Sequence, residues 1–217
     1  MIMPAPTSSQ IESPAKGFLT GAGLRGEDAP GLAKALADSA GQALTLFLSM
    51  AMVNPGIPAA IDPISGSGAT GGPGMLMPPP AGGPGASQLE GLVQGFLSGQ
   101  GIRGEDAGGL AKALAASIAQ AIMLFCSQGM AMPGIAIAGF VTAAPGMLMP
   151  VPLQGSLQSM VDGFLQQNGL RGEDAPHLAQ AVAQSLDLAF TLFAAQAMVS
   201  PGIPCAPGAS AGPGRLM

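Results

Sequence analysis

GLRGEDAP, residues Gly23 to Pro30, is the stretch that decides how this chain is organised. It returns as GIRGEDAG from Gly101 and as GLRGEDAP from Gly169. The chain holds only 7 basic and 12 acidic residues among 217, so a charged phrase of this length does not recur by accident. The protein reads as three copies of one unit, spanning 1–80, 81–150 and 151–217.

Locally the phrase predicts a turn followed by a helix start. Gly23, Gly101 and Gly169 suit the left-handed residue that ends a short preceding helix. Glu27 and Asp28, with Glu105 and Asp106, and Glu173 and Asp174, fall at the entry of the next helix. There an aspartate can accept a free backbone amide, and carboxylates favour the positive end of the helix dipole. Pro30 and Pro176 fit a first turn, whose amides lack partners in any case. Arg25, Arg103 and Arg171 supply the strong cation of each copy. They are expected to pair with those carboxylates, either within a copy or across to a neighbouring copy or subunit.

Working outward, each copy opens with a short amphipathic helix. Leu89, Leu92, Val93, Phe96 and Leu97 share one face in the second copy; Leu157, Met160, Val161, Phe164 and Leu165 do so in the third. In the first copy, Pro14 and Gly17 leave only Phe18 and Leu19 matching, which predicts a degraded element. The main helices follow over roughly 29–53, 107–132 and 175–199. Their stripes are Leu32, Leu36, Ala40, Ala43, Phe47; Leu110, Leu114, Ile118, Ala121, Phe125; and Leu178, Val182, Leu186, Ala189, Phe193. Steps of four, four, three and four trace one helical face. The C-terminal halves turn apolar nearly all round (Leu44, Leu46, Leu48, Met50, Met52), which predicts burial on every side. Phe47, Phe125 and Phe193 are the expected contacts between copies or subunits.

Each main helix is stopped by a Pro-Gly-Ile phrase: Pro55-Gly56-Ile57, Pro133-Gly134-Ile135 and Pro201-Gly202-Ile203. A Gly/Pro-rich arm then ends in Pro73-Gly74-Met75-Leu76-Met77, Pro145-Gly146-Met147-Leu148-Met149 and Pro213-Gly214-Arg215-Leu216-Met217. Such an arm keeps its apolar residues in register, unlike a free linker, and is expected to lie on a neighbour as an added strand. The first interval is longer by six residues between Pro55 and Gly74 and by four in the linker 78–87, where loops accept insertions. One unit has too little apolar side chain to order itself alone, so the three must share a core with each other or with other chains. The expected fold is mainly α: three tandem helical-hairpin units, each followed by an extended Gly/Pro-rich arm.

The chemistry-bearing residues are sparse. The net charge is −5, with no Trp or Tyr, no basic patch and no aromatic platform, so nucleic acid is not an expected partner. His177, the sole histidine, sits in a first turn where the other copies have Gly31 and Gly109. It has no partners for a triad or a metal site. Adjacent Glu–Asp pairs point apart on a helix and do not form an acid/base couple. The glycine-rich stretches lack the Lys-Ser/Thr ending of a phosphate loop. Cys126 and Cys205 do not recur between copies and read as small apolar fillers. The 14 methionines read as adaptable packing rather than soft-metal ligands. No enzyme, cofactor or metal is expected. No basic run followed by an apolar stretch marks a secretory leader. The apolar stretches 43–53 and 119–125 are short for a membrane span and flanked by Pro and Gly.

The unit plan resembles small structural proteins encoded among the virion genes of tailed bacteriophages and related prophages. The residues that carry this are the helix end at Pro55-Gly56-Ile57 with its copies and the closing Gly212-Pro213-Gly214-Arg215-Leu216. Those proteins occur as one unit, whereas three are fused here. The resemblance implies a non-enzymatic virion component of the shell, neck or tail, assembled in the host cytoplasm. It would cement neighbouring subunits through its arms, with other structural proteins of a symmetric assembly as partners, and form a homo-oligomer. Two readings compete: a membrane-associated or pore-forming Ala/Gly-rich repeat protein, and a secreted or cell-surface repeat protein.

Overall fold

A computed structural model describes residues 5–78 and 83–217. Met3 and part of the linker 78–87 lie outside the described residues. Six helices come in pairs of a short and a long one: α1 (Ser8–Gly21) and α2 (Ala29–Met50), α3 (Ala86–Gly99) and α4 (Ala107–Gln128), α5 (Gln154–Gln167) and α6 (Ala175–Gln196). Within each pair the two helices pack on one another. Each pair also meets the next in a cycle: α2 on α3, α4 on α5, and α6 back on α1. Across the middle, α2, α4 and α6 meet one another. A single apolar core, running from Ala5 to Leu216, joins all three sequence copies.

The long helices approach closely because their inner faces are small. Ala33 or its relatives Ala111 and Ala179 are buried, as are Ser39, Ser117 and Ser185 one or two turns on. Each buried serine satisfies its hydroxyl on its own helix, donating to the carbonyls of Ala35, Ala113 and Ala181 at 2.6–2.7 Å. At the inner ends Phe47, Phe125 and Phe193 stack about the common axis. Their ring centroids are 5.3, 5.8 and 6.1 Å apart, and Phe190 adds a fourth ring 5.2 Å from Phe125. All four are buried.

Beyond the helices the chain builds two circuits of short strands. β1 (Met52–Val53), β5 (Met130–Ala131) and β9 (Met198–Val199) leave the long helices; β4 (Gly74–Met75), β8 (Gly146–Met147) and β12 (Gly214–Arg215) lie in the closing phrases. β1 pairs with β12, β5 with β4 and β9 with β8, all antiparallel, so each exit strand takes the closing phrase of the preceding copy. Bridges Val53–Leu76, Ala131–Leu148 and Val199–Leu216 then tie each exit strand to its own closing phrase. The circuit closes. A second circuit is the six-stranded sheet β10-β11-β2-β3-β6-β7, built from β2 (Pro58–Ile61), β3 (Gly68–Thr70), β6 (Ala136–Ala138), β7 (Val141–Thr142), β10 (Cys205–Ala206) and β11 (Gly208–Ser210). A bridge from Val141 to Pro204 brings its two ends together.

Several expectations need correction. The chain is 52% helical but also 16% strand, so mainly α describes it only loosely. The arms do lie on a neighbour as added strands, but the neighbours they latch are the other copies of the same chain and not separate subunits. The long helices stop at Met50, Gln128 and Gln196, earlier than their apolar run suggests, because the next residues turn extended to join the strand circuit. Their C-terminal halves are not buried all round: Ala43, Leu44 and Phe47 are, whereas Leu46, Leu48 and Met50 are half-buried. α1 is a full 14-residue helix despite Pro14. Its buried Ile11, Ala15 and Leu19 stand where α3 has Leu89, Val93 and Leu97, and that packing outweighs the lost amide. The methionines of the closing phrases are not core packing either. Met75, Met147 and Met149 are 52%, 58% and 44% exposed, because in a pleated strand they face away from buried Leu76 and Leu148.

Candidate interaction surface

The charged phrases sit at the helix ends opposite the strand circuits. Gly23, Gly101 and Gly169 take φ of 88°, 85° and 90°, the left-handed geometry that lets the short helix end and the chain double back. Three turns then present Arg25, Glu27, Asp28, Arg103, Glu105, Asp106, Arg171, Glu173 and Asp174 to solvent, all exposed. Turns of the first and third copies, with Asp106 of the second, surround an open cavity of about 760 Å³. Leu24, Leu32, Leu170 and Leu178 give its floor an apolar character, and Asp28, Asp106 and Asp174 reach it from all three copies.

Neither role expected of these charges inside the chain is filled. The ion pairs among the described residues are Lys16–Glu12 and Lys34–Asp38, and the arginines take no part in them. Arg103 and Arg171 instead donate Nε to the carbonyls of Ser98 and Gln166, at 3.4 and 3.2 Å, over the end of the short helix. The aspartates do not cap with their side chains. Asp28, Asp106 and Asp174 have helical backbone angles, with φ near −81° and ψ of −9° to −12°. A capping side chain needs an extended backbone to swing back over the next amides. Pro30 and Pro176 do occupy the first turn.

The cycle explains the odd residue in that turn. A Cβ on Gly31 would meet Cβ and O of Gln100 at 3.3 Å, and one on Gly109 would come 2.5 Å from the Asn168 carbonyl oxygen. In the third copy the position is His177, and the counterpart of Gln100 and Asn168 is Ala22, which packs against the same small apolar cluster as Leu178. A larger residue stands where the residue opposite is smaller. His177 is exposed, in the first turn of α6.

Three hydroxyls fasten the copies to each other, and the sequence reading passed over them. Thr70 Oγ1 accepts the amides of Gly134 and Ile135 at 3.0 and 2.9 Å. Thr142 Oγ1 accepts that of Ile203 at 2.9 Å. Ser210 Oγ accepts those of Gly56 and Ile57 at 3.0 and 2.9 Å. All three are buried, and each grips the Pro-Gly-Ile phrase of the next copy. A signal was there to find: each hydroxyl residue stands three positions before the proline of a closing phrase, at Pro73, Pro145 and Pro213.

Among the described residues, no group of three His, Cys, Asp or Glu is placed to hold a metal ion. Cys126 is buried, and burial pushes its thiol up to about 12. Burial also raises Cys205, which packs with Ala59 and Ile137, its counterparts in the other copies. Asp62 is held low by amides of Ser65 and Ile64 in a turn that leaves Ile64 94% exposed. Helices α4 and α6 are long and apolar enough to cross a membrane by composition, and their most apolar stretches are 56% buried inside the bundle. No family model, curated protein or solved structure matches the chain.

Proposed function

We propose that the chain is a non-enzymatic assembly protein, a fused trimer of helical-hairpin units with strand-forming arms, that serves at a threefold position of a larger particle. The carrying observation is the cycle itself. Every arm of one copy lies on the next, and the third returns to the first through β12 on β1. A symmetric homotrimer satisfies itself in the same cyclic way, and fusion fixes the three copies in one chain. The interaction surfaces are then the outward faces, since the arms are engaged within the chain. If the resemblance to virion proteins holds, such a body would serve in a shell, neck or tail, where symmetry axes supply threefold partners.

Light scattering of the purified protein, with and without mild detergent, tests this reading. The expected result is a defined homo-oligomer whose mass detergent does not change. Aggregates that only detergent disperses, with flotation on liposomes, would replace it with the membrane-associated reading motivated by α4 and α6.

A further inference from the structure

The exit strands and closing phrases set their methionines side by side. Met75 lies opposite Met130 in the β4–β5 pair. The Ala131–Leu148 bridge puts Met149 on the other side of Met130, and its amide donates to the Met130 carbonyl at 2.8 Å. Met147 likewise lies opposite Met198, and Met198 and Met217 exchange backbone hydrogen bonds at 2.9 and 2.8 Å. At the third seam Met52 stands between Arg215 and Met77. Residues directly opposite across antiparallel strands have Cβ atoms about 4.5–5.5 Å apart. These side chains share the outer face of the circuit, because the residues alternating with them, Val53, Leu76, Ala131, Leu148, Val199 and Leu216, are buried. Core packing does not account for the sulfur: Met75, Met147 and Met149 are exposed, and Met130, Met198 and Met217 are half-buried. On such a strand surface β-branched and aromatic residues are the usual choice.

We propose that two of these rows are sites for a soft monovalent metal ion, Cu(I), each held by three thioethers: Met75, Met130 and Met149 in one, Met147, Met198 and Met217 in the other. Thioethers are soft ligands that suit Cu(I), whereas Mg²⁺ and Ca²⁺ take carboxylates and carbonyls. Methionine has three rotatable side-chain bonds, so neighbouring sulfurs in a row can swing onto one shared ion. Met132, whose amide donates to the Met147 carbonyl at 2.8 Å, sets a further thioether beside the second row. Each ion staples two copies together. The first row joins the closing phrase of the first copy to the exit strand and closing phrase of the second; the second row does the same for the second and third copies. At the seam between the third and first copies, Arg215 takes the place of an outer methionine. That leaves a pair of thioethers beside a fixed positive charge, and no ion is held there. These sites do not depend on what the chain assembles with.

Titration of the full chain with Cu(I) in anaerobic reducing buffer, against a chromophoric Cu(I) chelator such as bicinchoninate, tests this. Wild type is expected to take up about two equivalents, M130L and M198L about one each, and M130L/M198L none. R215M completes the third row and should raise uptake to about three. Leucine keeps the volume and the apolar character, and circular dichroism checks that the variants fold. If they do not, X-ray absorption of copper-loaded wild type decides: sulfur neighbours alone are expected, and nitrogen or oxygen neighbours overturn the assignment. Thioethers have no proton to lose, so the affinity should stay constant within about twofold between about pH 6 and 8. Uptake that strengthens with pH and disappears in C126A/C205A would belong to the cysteines and overturn the thioether sites. A wild type that binds no Cu(I), or an M130L/M198L variant that binds it as wild type does, would overturn them as well.

Discussion

Thr70→Val removes one hydroxyl and nearly no volume, and it isolates the clamp between the first and second copies. Thr70 is 3% exposed. Its Oγ1 accepts two amides, but the losses are unequal. Gly134 N also donates to the Thr70 carbonyl at 2.7 Å and keeps a partner. Ile135 N, 2.9 Å from the hydroxyl, is left buried without one. A buried amide stranded in this way costs about 1–3 kcal/mol. For a chain of this length that is about 2–4 °C of Tm per kcal/mol. Thr142→Val and Ser210→Ala remove the corresponding acceptors from Ile203 and from Gly56 and Ile57, and should cost the same within the scatter of such measurements. The three clamps share no partner, so their costs should add, to about 3–9 kcal/mol in the triple variant. That is comparable with the whole stability of a typical protein, about 5–15 kcal/mol, and the triple variant should be largely unfolded or close to it. Urea titration followed by far-UV circular dichroism reads this directly, with the slope unchanged if only stability moves. Thr70→Ser keeps the acceptor and should stay within about 1 kcal/mol of wild type. If all three single substitutions lie within about 0.5 kcal/mol of wild type, the hydroxyls do not hold the copies together and the clamp argument fails.

Other outcomes follow from the same geometry. Phe→Ala at 47, 125 or 193 should cost about 3–5 kcal/mol in chemical denaturation, with Phe125 the worst because it touches three other rings. Gly109→Ala should destabilise more than Gly31→Ala, since its Cβ runs into a backbone oxygen at 2.5 Å rather than 3.3 Å; His177→Gly should be tolerated. The third copy alone, residues 151–217, should be unfolded when dilute and gain helix on trimerising when concentrated, seen by circular dichroism alongside sedimentation. Cys126, buried and held near 12 against an ordinary 9.0, should resist alkylation at mildly alkaline pH until the chain is unfolded. Because its folded-state value is raised, its contribution to stability is complete below about pH 9 and is lost between about 9 and 12. Stability that rose with pH across that window would contradict the burial of this thiol.

The triplication, the long helices and their inner stripes were legible because each is a short-range pattern. A stripe of Leu36, Ala40, Ala43 and Phe47 declares its face whatever it packs on. The strands were not legible in the same way. β1 and its relatives are two residues long, too short to show an alternation, and their partners lie in other copies. For the same reason the helix ends were overestimated: Met52 and Val53 continue an apolar run, and only a distant strand decides that they extend rather than coil. Pro14 suggested a failing helix because propensity was weighed without the α2 and α6 surfaces that α1 packs on. The turn charges were read as caps and bridges, roles that depend on backbone angles and side-chain reach and that spacing alone does not determine. The clamp hydroxyls were visible as a constant spacing before each proline, but a threonine in a loop carries no mark of burial.

The two strand circuits leave few open edges, and that has a consequence for how the chain reaches its shape. A strand edge offers unpaired amides and carbonyls to any passing chain, and closing the circle removes the offer. Yet Gly56 finds its clamp only at Ser210, a separation of 154 residues. During synthesis the first exit strand therefore emerges long before its partner exists. Bringing such distant segments together is slow, and until it happens the early copies carry sticky edges. Ring closure is thus both the protection and the hazard: a ribosome that stalls before the last closing phrase releases a chain primed to borrow that strand from someone else.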